Sequence, residues 1–390
     1  MKRMGKDLPQ QGHNPHREGD KKEEPMKNNM APVIKELNNR FIARNREIEI
    51  AILALLSKEH YCVVGPPGTA KSQLITELGR LIGLNTFSWL IHKTTTLEEL
   101  LGPISLSGLE ADKYFRITTG KLPESEIAFI DEIWNATIIL PALNSILNER
   151  IFYNDGIPIH CPLISCYAAS NQLPNKNEPE LVGTFDRFVF RSIVDYTKDS
   201  NDFRRLIELP EFPPSQPIMN KSELEEIDKD IQTIRVSNLV LDQLVELWNK
   251  LRFEGIIVSD RRWRKVLKIL KCKAYLEECE SVDSDHFEIL TYVLWQEPEQ
   301  IEVINKIILS MVSPIRQTLI EYLDICNELE RNCSDLASTL EANKGIKDIL
   351  AKIEALTPMT PKDSDLIAKY KEDITAIHKR IVDKALQGGL

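Results

Sequence analysis

Short apolar runs alternate with amphipathic segments through the first half of the chain. Residues 33–60 repeat apolar positions with a helical period, and Tyr61 to Val64 is a β-rich run that ends at a glycine. Helical segments, notably 136–147, separate the later apolar runs. We predict strands over 61–64, 87–91, 127–130, 163–169 and 188–194. Because strands that alternate with helices form parallel sheets covered on both faces, the expected fold class is α/β with a parallel five-stranded sheet.

Two hairpin-like insertions interrupt this alternation. Residues 151–160 have a hairpin pattern with a turn at 154–156, because Asp-Gly tolerates the positive φ angles of a tight turn. The second insertion lies near residues 105–119, where we expect Tyr114 and Phe115 in a strand.

The pattern becomes helical beyond residue 198. A proline-rich connection at 210–217 leads into helical segments up to about residue 296. From residue 314 apolar positions recur every three or four residues, and the sequence 357–361 must turn. Two long helices joined by this turn form an antiparallel coiled-coil arm or pack on the body as an ordinary bundle, and the first could reach roughly 60 Å. The expected regions are a disordered leader (1–30), an α/β core (31–198), an all-helical domain (199–300) and a helical arm (301–390).

Composition narrows the class of protein. The 390 residues are 42% hydrophobic and 28% charged, which is typical of a soluble globular protein with two or three domains. No run approaches the ~20 apolar residues of a membrane-spanning helix, and residues 1–30 lack the apolar core of a secretory signal. Seven cysteines without paired zinc-site spacing indicate reduced thiols in a cytoplasmic protein. The net charge of −10 opposes nucleic acid as the main partner, although residues 261–273 contain a local basic patch.

The loop after the first strand carries the clearest chemistry. Its sequence is Gly65-Pro66-Pro67-Gly68-Thr69-Ala70-Lys71-Ser72. This is the phosphate-binding pattern G-x-x-x-x-G-K-[ST] with Ala70 in place of the last glycine. The loop directs backbone N–H groups at phosphate oxygens, Lys71 reaches the β/γ-phosphates, and the Ser72 hydroxyl binds Mg²⁺. Because Ala70 begins the following helix, we expect alanine to fit its dihedral angles. The loop predicts a protein that binds and hydrolyses ATP.

Two later strands end in polar residues that suit the same site. The third strand is apolar and ends in Asp131 and Glu132. Asp131 would hold Mg²⁺ through water, and Glu132 would act on the attacking water as a general base or a positioning group. Asn171, at the end of the next strand, would orient that water. The alternatives are a helix-capping acidic pair and a turn-forming asparagine.

Two arginines are candidates for contacting phosphate. Arg187 precedes the fifth strand and is either a structural salt-bridge residue or an arginine finger, which stabilises transition-state charge on a neighbouring subunit. Arg261 opens a helix of the second domain and could reach the γ-phosphate from above. Trp263 is expected in the core rather than in the site.

The order of these elements resembles the AAA+ family, and more narrowly the MoxR group and its RavA-type branch. The resemblance covers roughly residues 35–300. It is carried by residues 65–72, Leu101-Gly102-Pro103, Ile130-Asp131-Glu132-Ile133-Trp134, Leu147-Asn148-Glu149-Arg150, Ala169-Ser170-Asn171-Gln172-Leu173-Pro174 and Val258-Ser259-Asp260-Arg261-Arg262-Trp263.

This resemblance implies an ATP-driven ring, usually a hexamer, whose sites are shared between neighbouring subunits. It makes Asn171 sensor 1, Arg187 the finger acting on the next subunit and Arg261 sensor 2. Ile42 and Arg44 lie where such proteins cradle the adenine. The two insertions would face the ring pore and engage a protein client, often with a partner that carries a von Willebrand factor A-type domain.

In one respect the chain departs from RavA-type proteins. Those proteins carry a small extra domain within their C-terminal helices, whereas here only residues 357–361 lie between the two long helices. The departure puts in doubt any partner that uses the missing domain.

Three functions compete. The first is a chaperone-like remodelling ATPase that acts on a protein client. The second is a DNA-translocating motor, which the acidic balance opposes, as does the absence of Lys and Arg from residues 151–160. The third is a switch or scaffold that binds ATP without productive turnover. Intact Lys71, Asp131, Glu132 and Arg187 speak against the third.

Overall fold

The computed structural model describes residues 27–135, 139–312, 314–333, 336–358 and 361–387. The first half alternates helices and strands, and the five predicted strands are all present, with ends that differ by at most two residues. The elements in chain order are α1 (Ala31–Arg40), α2 (Asn45–Ser57), β1 (Tyr61–Val64), α3 (Lys71–Ile82), β2 (Thr86–Leu90), α4 (Leu97–Leu101), α5 (Leu106–Glu110), β3 (Ile127–Asp131), α6 (Leu140–Glu149), β4 (Ile151–Asn154), β5 (Ile157–His160), β6 (Ser165–Ser170), α7 (Pro179–Phe185) and β7 (Phe190–Ile193).

Five of these strands form one parallel sheet in the order β2-β3-β6-β1-β7, which confirms the predicted α/β fold class. Strand β1 lies between β6 and β7, where Tyr61 pairs with both Tyr167 and Phe190. Both β1 and β6 are buried along their whole length, so neither sequence alternates between apolar and charged residues: β1 is apolar throughout, and β6 is apolar between Ser165 and Ser170. Because the strands are parallel, their C-terminal ends share one edge of the sheet, here called the carboxyl edge. The opposite edge is called the amino edge.

The two insertions differ in structure. Strands β4 and β5 pair antiparallel, as predicted, and their turn places Asp155 and Gly156 at φ angles of 53° and 73°. The prediction of a strand at Tyr114 and Phe115 is wrong. That insertion contains α4, α5 and a single bridge between Ile104 and Arg116. The Phe115 ring packs against Gly108 of α5, so the segment folds over a helix instead of extending a sheet.

The second half is helical, as predicted. Its elements are α8 (Ser200–Ile207), α9 (Lys221–Thr233), α10 (Asn238–Phe253), α11 (Asp260–Leu276), a 3₁₀ helix (Ser284–Tyr292) and α12 (Glu299–Val312). Helix α11 packs along α2 of the core, and Lys273 of α11 forms ion pairs with Glu49 of α2 and with Glu277. Helix α11 is therefore one of several elements that attach the helical domain to the core, since α9 also contacts α2 and the 3₁₀ helix contacts β7.

The chain packs before α1 begins. Residues 1–26 of the predicted leader lie outside the described residues, but Asn28 to Met30 belong to the folded part. The Asn28 side chain donates to the Leu276 carbonyl at 2.8 Å, and Met30 is fully buried. The expected end of the leader at residue 30 is thus a few residues too late.

The C-terminal region contains antiparallel helices, but the prediction of two long ones is wrong. The described residues from 314 to 387 form three helices, α13 (Pro314–Asn332), α14 (Leu336–Glu354) and α15 (Pro361–Gln387). Asn, Ser and Asp between residues 332 and 335 favour helix caps and turns over a continuous helix. The three helices contact one another around their own apolar core, separate from the main one. A first helix reaching 60 Å does not exist, and a bundle replaces the arm.

None of the described helices is both long and apolar enough to cross a membrane. The seven cysteines all lie among the described residues, and none of them forms a disulfide.

Candidate nucleotide site

The phosphate-binding loop leaves the carboxyl edge directly after β1. Gly65 is required there because an added Cβ would lie 2.3 Å from the Val194 carbonyl oxygen, and Gly68 adopts a φ of 78°. The Lys71 ammonium donates to the carbonyls of Gly65 and Pro66 at 2.7 and 2.8 Å. The lysine therefore closes the loop on itself and lies within it.

Ala70 corrects the expectation made for the loop. It is the N-cap of α3 and adopts φ 62° and ψ 20°, which is left-handed and not helical. The last glycine of the pattern suits this conformation, whereas alanine is strained by about 1–2 kcal/mol. The replacement is thus a strained fit, because the chain turns through the left-handed region before the helix begins at Lys71.

A hydroxyl and a carboxylate meet at the start of α3. Ser72 donates from Oγ to Asp131 Oδ2 at 3.1 Å, across the gap between the loop and the end of β3. Oxygen ligands of these two types are those that Mg²⁺ binds beside phosphates. Burial lowers the pKa of Lys71, while Asp131 and Glu132 act in the opposite direction. The residues present therefore fit a magnesium–phosphate group.

Glu132 and Asn171 contact each other at the ends of neighbouring strands. Asn171 donates from Nδ2 to Glu132 Oε1 at 2.5 Å. Glu132 has a φ of 50°, a value that is uncommon for a residue with a side chain, and its N–H donates to Asp131 Oδ1. This backbone turn directs the second carboxylate away from the first. In such a pair the carboxylate can accept a proton from a water molecule, and the amide can form a hydrogen bond with that water.

A cleft of about 510 Å³ continues from the loop, and both residues predicted to cradle the adenine line it. Ile42 contributes an apolar wall. Arg44 donates to the carbonyls of Thr69 and Asp195 at 3.2 and 3.0 Å, so its guanidinium also fixes the loop.

Several residues of this cleft were missed from the sequence: Tyr196, Phe203, Leu206 and Leu209. Tyr196 donates from its hydroxyl to the Pro67 carbonyl at 3.1 Å. A signal was available for Tyr196, because residues that follow a parallel strand lie at the carboxyl edge. The other three belong to α8 and its end, whose packing against the loop no local pattern indicates.

The structure brings Arg187 and Arg261 together, but not to the phosphate-binding loop. Arg187 precedes β7 and therefore lies toward the amino edge, where its Nη1 donates to the Gly183 carbonyl. Arg261 Nη1 lies 3.8 Å from Asp186 Oδ2. Burial lowers the pKa of Arg187, and the nearby charge of Arg261 lowers it further. The expectation that Arg261 lies above the phosphate of its own chain does not match this position.

Arg262, which the sequence did not single out, anchors α11 to the core. Its side chain is fully buried, donating from Nη2 to Asp186 Oδ1 at 2.9 Å and from Nη1 to the Trp295 carbonyl at 3.1 Å. Arg191 of β7 donates to the same Trp295 carbonyl at 2.7 Å. Burial lowers the pKa of Arg262 to about 10 against the opposing effect of Asp186. Trp263 packs against the main core, as expected.

Much of the basic patch at 261–273 is used inside the chain. Lys265 pairs with Glu59 at 2.8 Å, Lys273 pairs with Glu49, and Lys271 donates to the Gln232 carbonyl at 3.2 Å. These cations hold α11 against neighbouring helices, so they do not form a free phosphate-binding surface.

Comparison with known proteins agrees with this geometry. A family model described as the MoxR domain in the MoxR-vWA-beta-propeller ternary systems matches residues 28–228, and one described as an AAA lid domain matches residues 239–308. An uncharacterised protein of Methanocaldococcus jannaschii is 36% identical over 335 residues, which cover 84% of this chain and 89% of the relative. A second uncharacterised protein of that organism is 36% identical over 297 residues, covering 76% and 77%.

The fold also resembles a solved structure. A crystal structure from Cytophaga hutchinsonii, described as that of a candidate ATPase, superposes with a TM-score of 0.57 at 16% identity, covering 72% of this chain and 92% of that one.

Proposed function

The chain belongs to the MoxR group of AAA+ ATPases, and we propose that it hydrolyses ATP in a ring of identical subunits, usually six, whose sites are shared between neighbours. One observation carries this proposal. The groups that hold and hydrolyse ATP lie at the carboxyl edge of the sheet, whereas the two arginines that would neutralise phosphate lie toward the amino edge. A second subunit would supply what each site lacks.

Within one subunit, each group has a distinct task. The loop N–H groups and Lys71 bind the β- and γ-phosphates, with Lys71 exchanging its carbonyl partners for phosphate oxygens. Ser72 and Asp131 would hold Mg²⁺, which neutralises phosphate charge when bound. Glu132 accepts a proton from the attacking water, and the Asn171 amide orients that water.

Between subunits, Arg187 acts as the finger and Arg261 supports it. Arg187 donates to the Gly183 carbonyl, close enough to Arg261 for their charges to interact. The Arg261 side chain lies 3.8 Å from Asp186 and is about half exposed, so it can face a neighbouring subunit. An arginine supplied in trans typically raises turnover by ~10³–10⁵.

Mixing two inactive variants tests the shared site. Arg187→Ala and Lys71→Ala should each lose ATP turnover when assembled alone. A mixture should regain part of it, because some interfaces pair an intact loop with an intact Arg187. Arg264→Ala, which removes an exposed arginine of the same helix as Arg261, is the matched control and should retain turnover. Inactivity of the mixture at every ratio would exclude shared sites, and full turnover by Lys71→Ala alone would exclude this loop as the site of ATP hydrolysis. Absence of ATP turnover in the parent chain would exclude the ATPase assignment itself.

A protein client is favoured by the surface of the two insertions. Residues Leu106, Tyr114, Tyr153, Ile157 and Ile159 are exposed apolar side chains. The insertions are also joined, since Asn154 accepts from the Arg116 N–H at 2.7 Å and donates to the Arg116 carbonyl at 3.0 Å. A joined apolar tip without Lys or Arg in the hairpin suits an unfolded polypeptide better than a phosphate backbone.

Measuring ATP turnover with an added unfolded model protein, and separately with added DNA, distinguishes a protein client from a DNA substrate. The unfolded protein should stimulate turnover, and Ile157→Ser with Ile159→Ser should abolish the stimulation. Phe253→Ser, at an exposed apolar residue of α10, should leave it intact. Stimulation by DNA alone would instead support the DNA motor. The description of the matched family further favours a partner with a von Willebrand factor A-type domain.

A further inference from the structure

A second group of metal-binding side chains lies at the far end of α11, outside the nucleotide site. Glu277, Cys279 and His286 each offer one ligand atom, and these atoms all lie within 4.8 Å of one another. Glu277 caps α11, Cys279 lies in the following turn, and His286 belongs to the 3₁₀ helix. Three segments that contain none of the residues assigned to the nucleotide site thus converge on one point.

His286 is the residue that points to a ligand. Its side chain is fully buried, and its Nε2 atom has no hydrogen-bond partner among the described residues. The nearest charged atom is Glu277 Oε2 at 3.8 Å, too far for a hydrogen bond but close to the separation of two ligands on one zinc ion. Buried polar atoms are nearly always satisfied, so the position of this nitrogen calls for a partner.

The other ring nitrogen is arranged as it is in metal-binding histidines. His286 Nδ1 lies 2.8 Å from Asp283 Oδ1. A metal-binding histidine usually donates its second N–H to a carboxylate, which fixes the tautomer and leaves the first nitrogen free to coordinate. In the other tautomer the proton is on Nε2, and Nδ1 accepts from the Asp283 N–H at 3.0 Å. The Nε2 proton would then lack a hydrogen-bond acceptor. A metal bound at Nε2 would favour the tautomer that has its proton on Nδ1.

We propose that Glu277, Cys279 and His286 form a zinc site with one coordination position open to solvent. Zinc accepts this mixture of carboxylate, thiolate and imidazole, with bonds of about 2.0–2.3 Å, so tetrahedral ligand atoms lie roughly 3.3–3.8 Å apart. Side-chain movements of about an ångström would bring all three atoms to such distances. Glu277 is exposed and Cys279 half-buried, which leaves a path for the ion to enter.

The zinc ion would clip α11 to the 3₁₀ helix that follows it. Glu277 also pairs with Lys273 at 2.8 Å, and Lys273 in turn pairs with Glu49 of the core. The clip would therefore fix the end of α11 opposite to Arg261 and Arg262. The site lies at the other end of α11 from these arginines, so the ion would act on the position of this end of the helix and not on the nucleotide.

Cobalt and zinc titrations of the full chain test the site, after removal of metals with a chelator and without nucleotide. Co²⁺ should give a thiolate-to-cobalt charge-transfer band at one equivalent per chain, and Zn²⁺ should displace it and raise the thermal unfolding midpoint. Cys279→Ser should lose the band and weaken Zn²⁺ binding at least tenfold. Cys333→Ser, at a half-buried cysteine of the C-terminal bundle, is the matched control and should retain both.

Asp283→Asn separates coordination from folding. Asparagine can still cap the 3₁₀ helix but is no longer a carboxylate, so we expect zinc affinity to fall by about 10–100-fold in a folded protein. Absence of the cobalt band, or an identical band in Cys279→Ser and the parent chain, would overturn the proposal and leave only an ion pair between Glu277 and His286. Neither result would affect the ATPase assignment.

Discussion

The two edges of the central sheet carry two groups of candidate site residues and are built differently. At the carboxyl edge the reactive side chains contact one another, as Ser72 does with Asp131 and Asn171 with Glu132. Toward the amino edge, Arg187 donates to the Gly183 carbonyl and Arg261 lies 3.8 Å from Asp186, and neither contacts the phosphate-binding loop among the hydrogen bonds and ion pairs of the described residues.

The difference shows which group of site residues is held in place within a single subunit. Strand ends are fixed by the sheet, so the carboxyl edge is preorganised in a single chain. At the amino edge Arg187 precedes β7, whereas Arg261 depends on α11, which is held by the buried Arg262. A ring would therefore couple ATP hydrolysis in one subunit to the position of the helical domain in the next.

The largest expected effect comes from removing the base at the carboxyl edge. Glu132→Gln keeps the shape and the Asn171 contact but cannot accept a proton, so turnover should fall by about 10²–10⁴. ATP binding should remain, since Lys71 and the loop are unchanged. Steady-state turnover and equilibrium binding of a fluorescent ATP analogue measure the two. Glu110→Gln, at an exposed glutamate of α5, is the control. Equal turnover in both variants would remove Glu132 from the chemistry.

The carboxyl edge is the part of the molecule that the sequence predicts best. Each of its groups follows an apolar strand, and parallel strands end at one edge, so the amino-acid pattern alone is enough to group Ser72, Asp131, Glu132 and Asn171 in one site. Strand positions followed from short, mostly apolar runs such as β1 and β6, which are buried on both faces.

The amino edge was harder to predict, because its geometry depends on packing between distant segments. Arg261 and Arg262 are adjacent in sequence and identical in chemistry, and only the rotation of α11 against the core decides which is buried. The prediction of two long C-terminal helices was wrong for a related reason. Their apolar spacing continues across residues 332–336, and only polar residues at that point indicate the break.

Variants of the adjacent residues Arg261 and Arg262 distinguish an arginine that stabilises the fold from one that acts on phosphate. Arg262→Ala removes the buried cation that pairs with Asp186, although Ser259 still donates to that carboxylate and Arg191 still donates to the Trp295 carbonyl. Because half of a buried ion pair is left behind, the free energy of unfolding should fall by about 3–5 kcal/mol. Arg261→Ala should change it by less than about 0.5 kcal/mol, because a half-exposed contact of 3.8 Å contributes little. Urea unfolding measures both. ATP turnover should then fall in the Arg261 variant while the fold stays intact.

Equal free energies of unfolding for the two variants would contradict the assignment of Arg262 as the residue that anchors α11 and of Arg261 as a surface residue. A stable Arg261→Ala protein with full turnover would limit the phosphate contact to Arg187.

The smallest expected effect concerns the strain at the carboxyl edge itself. Ala70 has a left-handed backbone at φ 62°, so Ala70→Gly should relieve strain and raise the free energy of unfolding by about 1 kcal/mol, despite the greater freedom of glycine in the unfolded chain. Ala351→Gly, at an exposed position inside α14, should lower it by about 1 kcal/mol. Urea unfolding of the two variants should thus give opposite signs. Destabilisation by both would mean that the left-handed turn before Lys71 costs alanine nothing, and that the loop is as relaxed with Ala70 as with glycine.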